Sequence, residues 1–223
     1  MKILCISDQI DPLVYTNSIK ERFKNIDVVL SAGDLPLDYL EFIVSSLNKP
    51  LLFVFGNHNT EEYRFFTGHR DLGSAEDMMA EGLRHGAGTT HIGSKVRVEE
   101  GLIIAGLGGS MRYNNGENQY TDFQMYLEIL KLIPGILLKR LIRGRFPDIL
   151  LTHAPPKGIH DKPDKCHWGF NAFCWFMRVF KPKYLIHGHI HLYDLADVRA
   201  TRYYETLVIN AYSHYVIDTE EWK

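Results

Sequence analysis

The sequence has few cysteines and no long apolar run, and both shortages limit the kind of protein it encodes. Its 223 residues include only three cysteines, Cys5, Cys166 and Cys174, and no two of them have CxxC spacing. A disulfide framework is therefore excluded, and we expect a reducing compartment, namely the cytoplasm. No apolar run reaches the roughly 18 residues that a membrane-spanning helix needs, so we expect a soluble protein with no membrane partner.

The chain also lacks an excess of charge of either sign. Lys and Arg total 25 and Asp and Glu total 27, which gives a formal net charge of −2. A protein that binds the nucleic acid backbone is usually more basic, so nucleic acid is not expected as a partner. The sequence has no internal repeat, low-complexity tract or Pro/Ser-rich linker, and 45% of its residues are hydrophobic. We therefore expect one folded domain over residues 1–223, and the composition leaves the oligomeric state open.

What the sequence does contain is a series of short apolar runs that end at polar or glycine-containing turns. Lys2 to Ser7, Asp27 to Ser31 and Leu51 to Phe55 are runs of this kind, and Asp38 to Leu47 has helical spacing. A strand, turn, helix and strand in this order are typical of βαβ units in a largely parallel sheet.

The later part of the chain continues this alternation of short strands and helices. Strands are predicted over Lys95 to Val98, Leu102 to Ala105, Asp148 to Leu151 and Tyr184 to Ile186, and helices over Gln119 to Arg143 and Gly169 to Phe180. Pro134 and Gly135 are expected to kink the longer helix or to split it in two. The tail from Val198 to Asp218 alternates as antiparallel strands do.

Five of the predicted strands end in turns that carry potential metal ligands. Because the carboxyl ends of parallel strands border one crevice in an open α/β sheet, we expect these side chains to converge. Carboxylate oxygens, imidazole nitrogens and amide oxygens are what first-row divalent cations bind. The ligand-type residues in these turns are Asp8, Asp34, Asn57, His58, His153, His189 and His191.

These residues belong to five short sequence blocks that follow one another along the chain. The blocks are Asp8-Gln9-Ile10, Gly33-Asp34-Leu35-Pro36-Leu37-Asp38, Gly56-Asn57-His58-Asn59, His153 and Gly188-His189-Ile190-His191. In this order the chain resembles the calcineurin-like metallophosphoesterase superfamily, whose pattern is D-x-H, G-D-x-x-D, G-N-H-[D/E], H and G-H-x-H. The resemblance runs nearly end to end. It implies an α/β fold, a four-layer αββα sandwich of two mixed β-sheets flanked by helices.

The resemblance also implies a centre for two divalent metal ions, bridged by Asp34. The first ion would be held by Asp8 and His191, and the second by Asn57, His153 and His189. Mn²⁺ or Fe is the preferred ion because the first site would be rich in oxygen, with Zn²⁺ or Ni²⁺ as alternatives. We refer to these ligand sets, each with Asp34 included, as the first site and the second site.

The activity implied by the resemblance is phosphate ester hydrolysis through a metal-bound hydroxide. His58 would be the catalytic residue beside the scissile phosphate. Arg112 follows a predicted strand and is a candidate for binding a phosphate oxygen. The alternative, an ordinary surface arginine, fits the sequence equally well. The motifs do not fix the substrate, and we expect a phosphodiesterase that acts on a small-molecule or nucleotide phosphate ester.

Two departures from the family pattern bear on this expectation. Ile10 stands where the D-x-H block has its histidine, and it cannot bind a metal, so Asp11 is the nearest candidate to replace that ligand. Asn59 stands where the G-N-H block is followed by an acid. Both departures favour an alternative, a catalytically weak or inactive scaffold of the same fold that binds a protein partner. Asp38 also lies one position late in the G-D block, and it is given no role.

The loop that follows His153 is a candidate roof for the substrate pocket. It carries His160 and His167, and the alternative is an ordinary solvated loop. His187 directly precedes Gly188, and we expect it to point to the opposite side from His189, either into the core or to a place beside the ligands.

Overall fold

The computed structural model describes residues 1–59, 63, 88–194 and 196–220, in which short strands alternate with helices. The strands are β1 (Lys2–Ser7), β2 (Val28–Ser31), β3 (Leu51–Phe53), β4 (Thr89–His91), β5 (Lys95–Glu99), β6 (Leu102–Leu107), β7 (Ser110–Met111), β8 (Gln119–Tyr120), β9 (Ile149–Thr152), β10 (Tyr184–His187), β11 (Ala200–Tyr203), β12 (Thr206–Asn210) and β13 (Ser213–Asp218). The helices are α1 (Ile19–Arg22), α2 (Leu37–Leu47), α3 (Asp122–Arg143) and α4 (Asn171–Phe180), and Lys165–His167 form a 3₁₀ turn.

The strands assemble into two large mixed sheets and one small pair. The first sheet has the order β13-β1-β2-β3-β4, and only β13 runs antiparallel to its neighbour. The second sheet has the order β11-β12-β10-β9-β6-β5, in which the four inner strands are parallel and both edge strands antiparallel. β7 and β8 pair separately. The parallel strands of each sheet therefore end at a common edge.

Three apolar layers hold the two sheets and the helices together. Alternate residues of β1 point to opposite faces: Ile3 and Cys5 join the layer between the sheets, whereas Leu4 and Ile6 pack in the layer that α1 and α2 share. On the far side of the second sheet, α3 and α4 bury residues such as Ile129 and Phe173. The order helix, sheet, sheet, helix confirms the predicted four-layer αββα sandwich.

The helix predicted over Gln119 to Arg143 begins later than expected, and it is not split in two. Gln119 already belongs to β8, and the helix runs without a break from Asp122 to Arg143 with Pro134 inside it. Pro134 lies on the exposed face of α3, so the carbonyl that loses its N–H partner there lies on the side facing water. No helix in the described ranges combines the length and the apolar character needed to cross a bilayer.

The expected antiparallel tail is only partly present. β11 and β12 pair antiparallel, but β12 is buried throughout and runs parallel to β10, while β13 joins β1 in the other sheet. The tail therefore supplies strands to both sheets, which a pattern of alternation cannot predict because it does not say which strand is the neighbour.

The start of α3 gives a prediction about stability. Thr121 accepts a hydrogen bond from the backbone N–H of Gln124, and the Gln124 side chain accepts one from the Thr121 N–H, which makes a capping box. Replacing Thr121 by alanine should lower the free energy of unfolding by about 1 kcal/mol, because an N-terminal N–H of the helix loses its acceptor. Urea unfolding of the two proteins measures the difference, and equal midpoints would contradict this role.

Candidate metal centre

The candidate ligands lie just beyond the carboxyl ends of strands from both sheets. Asp8 follows β1 directly, Asp34 lies three residues beyond β2, His153 follows β9 directly and His189 lies two residues beyond β10. The backbone turns sharply at three of them, with φ of 63° at Asp8, 56° at Asp34 and 67° at His189. Residues other than glycine rarely adopt this left-handed conformation, and such strain is concentrated at functional sites.

Two glycines allow the turns from different strands to approach each other. Gly33 has a φ of 100°, and a Cβ there would lie 2.6 Å from the backbone nitrogen of Gly56. A Cβ at Gly56 would lie only 2.0 Å from the Asp34 Oδ1 atom. Any larger residue at Gly56 would therefore occupy the space of the carboxylate.

His153 forms the centre of the second site. Its Nδ1 atom lies 2.8 Å from the Ala32 carbonyl oxygen, which can only accept, so Nδ1 carries the hydrogen. Its Nε2 atom then faces the Asp34 Oδ2 atom at 3.2 Å and the Asn57 Oδ1 atom at 3.2 Å. A nitrogen and two oxygens with converging lone pairs need a cation between them, either a proton or a metal ion.

The pKa values of this pair reflect the same charge pattern. Burial alone would lower the pKa of His153, but the Asp34 carboxylate outweighs burial and raises it to about 9. Burial would raise the pKa of Asp34, but His153 and the backbone N–H of His58 outweigh it and lower the pKa to about 2. In the metal-free protein a proton on His153 thus takes the place that a cation would fill.

His189 has its second nitrogen free for a metal. Its Nε2 atom donates to the Cys166 carbonyl oxygen at 2.7 Å, so the lone pair of the neutral ring is on Nδ1. Burial, together with the nearby His153, lowers the pKa of His189 to about 3 and keeps the ring neutral. One ligand atom each from Asp34, His153 and His189 lies within 4.8 Å of the others. With Asn57, these residues fit a divalent cation as ligands of the second site.

The first site is less complete. Both oxygens of Asp8 accept from the backbone N–H of His189 at 2.9 Å, and the His191 Nε2 atom lies 4.0 Å from the Asp8 Oδ1 atom. Burial raises the pKa of Asp8. Ile10 is exposed and offers no ligand. This set of two carboxylates and one imidazole is rich in oxygen.

Asp11 does not replace the missing histidine. Its carboxylate accepts hydrogen bonds from the Ser213 hydroxyl and from His214, both at 2.5 Å, and from the backbone N–H of Leu13 at 2.7 Å. These partners hold the side chain to the start of β13. The idea that Asp11 turns towards the first site is therefore wrong.

Two residues around the second site, Asn59 and Tyr113, support it without being ligands. The Asn59 side chain accepts from the Asp34 N–H at 2.8 Å and donates to the Leu35 carbonyl at 3.2 Å, so it holds the strained turn at Asp34. The Asn57 amide nitrogen donates to the Tyr113 hydroxyl at 3.3 Å, which directs the amide oxygen towards His153. Asn59 thus has a structural role where the sequence indicated only a missing acid, and Tyr113 was not singled out from the sequence.

Of the two residues predicted to meet the substrate, His58 lies at the edge of this centre, whereas Arg112 contacts β8. The His58 backbone N–H donates to the Asp34 Oδ1 atom at 2.9 Å, and its side chain is exposed. The Arg112 guanidinium donates to the Gln119 carbonyl at 3.3 Å, which ties it to β8. His58 is therefore open to an incoming ligand, whereas Arg112 already has one protein partner.

The loop after His153 packs against the centre. Besides the Cys166 carbonyl, the His167 ring lies 5.4 Å from the His189 ring. His160 contacts a different histidine, since its Nδ1 atom is 2.8 Å from the buried His187 Nε2 atom. His187 thus pairs with the loop and not with the ligands of the second site. An open cleft of about 400 Å³ lies between this loop and His191.

The linked charges of Asp34 and His153 predict how the stability of the metal-free protein depends on pH. The raised pKa of His153 stabilises the fold below pH 6.5, and this contribution is lost as the pH rises through about 9. The lowered pKa of Asp34 stabilises it above pH 3.8, and this contribution is lost as the pH falls through about 2. Urea unfolding of chelator-treated protein should therefore show lower stability at pH 9 than at pH 6. Saturating metal should reduce this decline, and a metal-free protein that gains stability over that range would contradict the assignment.

The chain matches a known protein family and has the same fold as solved structures. The family model for calcineurin-like phosphoesterase matches residues 1–193. A solved crystal structure superposes with a TM-score of 0.69 and 14% identity, covering 100% of this chain and 96% of that chain. The structure of TT1561 of Thermus thermophilus superposes with a TM-score of 0.60 and 12% identity, covering 95% of this chain and 89% of that chain. At these identities the two structures show a shared fold. No curated protein matches the chain.

Proposed function

Because the chain belongs to the calcineurin-like phosphoesterase family, we propose that it is a metal-dependent phosphodiesterase acting on a small-molecule or nucleotide phosphate ester. The observation that carries the proposal is the His153 Nε2 atom, which faces the Asp34 Oδ2 and Asn57 Oδ1 atoms at 3.2 Å each. The lone pairs of these three atoms repel one another unless a cation lies between them.

The ligand sets assign a separate task to each group of residues. Asn57, His153 and His189 would hold one divalent cation, Asp8 and His191 would hold a second, and Asp34 would contribute to both sites. Bound divalent cations would neutralise phosphoryl oxygens and lower the pKa of a water molecule. Two carboxylates would then oppose four positive charges, which would leave an excess positive charge for an anionic substrate. Mn²⁺ or Fe is the preferred metal for the oxygen-rich first site, and Zn²⁺ or Ni²⁺ are alternatives.

The size and charge of the surroundings favour a small substrate. The cleft beside His191 measures about 400 Å³, the lower part of the range for small-molecule pockets, and its charged lining residues are Lys162, Asp161 and Asp197. A net charge of −2 gives no general attraction for a nucleic acid backbone. We propose a cytoplasmic location, which the three free thiols support.

The proposal is tested with bis-p-nitrophenyl phosphate as substrate. Hydrolysis should appear with added Mn²⁺, stop with EDTA and return when Mn²⁺ is added in excess. A panel of Mn²⁺, Fe²⁺, Zn²⁺ and Ni²⁺ with matched monoesters and diesters then identifies the preferred ion and ester class. If no ion supports hydrolysis of either class, the phosphodiesterase assignment is wrong.

His58 is proposed to donate a proton to the leaving oxygen, and this role has a specific signature. Replacing His58 by alanine should lower kcat by roughly 10²–10⁴-fold for an alkyl phosphate ester, whose leaving alkoxide needs the proton. The loss should be much smaller for a p-nitrophenyl ester, because p-nitrophenolate leaves without protonation. Equal losses for both esters would mean that His58 acts on binding or on the fold of the Asp34 turn instead.

A scaffold that binds a protein partner is the second candidate function. Ile10 removes a ligand from the first site, and α3 presents an exposed apolar face. The metal content of the purified protein separates the two candidates, because a scaffold does not require a bound ion. Retention of metal after dialysis, together with metal-dependent hydrolysis, supports the enzyme.

A further inference from the structure

The solvent-facing side of α3 is unusually apolar. Met125, Ile129 and Leu132 bury one side of the helix against the second sheet. On the opposite side Phe123 is 71% exposed and Leu141 83% exposed. We call this side the α3 stripe, and its members are Phe123, Leu127, Leu130, Pro134, Leu137, Leu138 and Leu141. An apolar stripe of this size on a protein surface marks an interaction site.

The spacing of the α3 stripe is that of helix-to-helix packing. From Phe123 through Leu127, Leu130, Pro134 and Leu137 to Leu141, the steps are four, three, four, three and four residues. This alternation is the 3.5-residue period of the seam between two paired helices. A helix lying on a membrane needs no such period, because lipid contacts a whole face.

The same spacing is self-complementary when two copies of α3 run antiparallel. We propose that the α3 stripe is the interface of an antiparallel homodimer of this chain. A two-fold axis through the middle of α3 sets Phe123 opposite the partner's Leu141, Leu127 opposite the partner's Leu137 and Leu130 opposite the partner's Pro134. Every large side chain of the seam then meets an apolar side chain. The surface is thus complementary to itself, as a two-fold interface requires.

The charges along α3 match an antiparallel arrangement. The helix begins with Asp122 and ends with the basic residues Arg140 and Arg143. An antiparallel pair places the acidic end of one copy beside the basic end of the other, whereas a parallel pair would bring like charges together. Lys131 lies near the axis, and its ammonium is already paired with Glu128 at 2.6 Å.

The exposed area is sufficient for a dimer. From their exposed fractions, the apolar side chains of the α3 stripe and Ile142 present roughly 700 Å² per protomer, close to the ~800 Å² that each partner contributes to a standard interface. The largest apolar patch on a typical monomer is smaller, about 300–600 Å². The spacing, charge and area of the α3 stripe therefore all match a second copy of the chain.

Sedimentation velocity of the full chain tests the proposal. The unmodified protein should sediment as a dimer at micromolar concentration. Replacing Leu130 and Leu137 by glutamate should weaken dimerisation by about 100-fold or more, because four carboxylates would then enter an apolar seam. Val179→Glu, on the exposed face of α4, is the matched control and should remain dimeric. Since all three positions are exposed, circular dichroism should show that each variant keeps the fold.

Cross-linking tests the antiparallel register. The double variant Phe123→Cys with Leu141→Cys should form an intermolecular disulfide, and Phe123→Cys alone should not, because two copies of position 123 would lie at opposite ends of the interface. A monomeric unmodified protein, or a dimer that the glutamate variants leave unchanged, overturns the proposal. A monomer that floats with vesicles of anionic phospholipid would also overturn it and would assign the α3 stripe to a membrane surface.

Discussion

Replacing Asp34 by asparagine should reduce metal-dependent phosphodiester hydrolysis by roughly 10³-fold, or about 4 kcal/mol of transition-state stabilisation. The Asp34 Oδ1 atom accepts the backbone N–H of His58 at 2.9 Å, and its Oδ2 atom faces the His153 Nε2 atom at 3.2 Å. Asparagine has the same shape but only one acceptor oxygen and no charge. An NH₂ group, which cannot bind a cation, therefore takes the place of one carboxylate oxygen, and the negative charge proposed to serve both metal sites is lost.

Asp38→Asn is the matched control for this substitution. Asp38 lies four residues away on the exposed side of α2, and its change to asparagine should leave hydrolysis within about twofold of the unmodified protein. Metal content is measured in parallel by elemental analysis, and Asp34→Asn should lose bound metal whereas Asp38→Asn should not. An Asp34→Asn protein that keeps both its metal and its activity would remove the basis of the proposed function.

The convergence of the ligand-type residues could be predicted from the sequence because each one follows an apolar strand. Asp8 and Asp34 follow β1 and β2 of the first sheet, and His153 and His189 follow β9 and β10 of the second. Within each sheet the parallel strands end at a common edge. The glycines of the same blocks carry further information, since Gly33 needs its positive φ. The local signals alone predicted βαβ units in a largely parallel sheet, and the resemblance to the family, carried by the order of the blocks, implied the four-layer fold.

The partners of the supporting residues could not be predicted in this way. Asp11 lies next to the first site in sequence, but Ser213 and His214, about 200 residues later, hold its carboxylate. The sequence pattern indicated only that Asn59 replaces an acid, whereas in the structure its side chain accepts a hydrogen bond from the Asp34 N–H. The acceptor for His189 is the carbonyl of Cys166, which no side-chain pattern indicates. Each of these contacts depends on where distant loops meet. Backbone N–H and carbonyl groups do not depend on residue type, so the sequence gives no sign that they act as partners.

Gly56 offers a test of the site's geometry that removes no ligand. A Cβ at Gly56 would lie 2.0 Å from the Asp34 Oδ1 atom and 2.6 Å from the His153 Cε1 atom. The carboxylate cannot move aside without losing its bond to the His58 N–H. Gly56→Ala should therefore release bound metal, lower hydrolysis by roughly 10³-fold and lower the free energy of unfolding by about 1–3 kcal/mol.

Gly135→Ala inside α3 is the control, because its Cβ would meet only the Val96 side chain at 3.3 Å. Alanine is favoured over glycine in a helix, so the free energy of unfolding should change by less than about 1 kcal/mol and hydrolysis should be unaffected. Gly56 contributes no donor atom, and the backbone N–H of His58 remains after the substitution. Loss of metal in Gly56→Ala, at a temperature where circular dichroism shows the variant folded, would therefore mean that the close approach of the two turns creates the second site. Full metal content in the folded variant would contradict the position of Asp34 against Gly56.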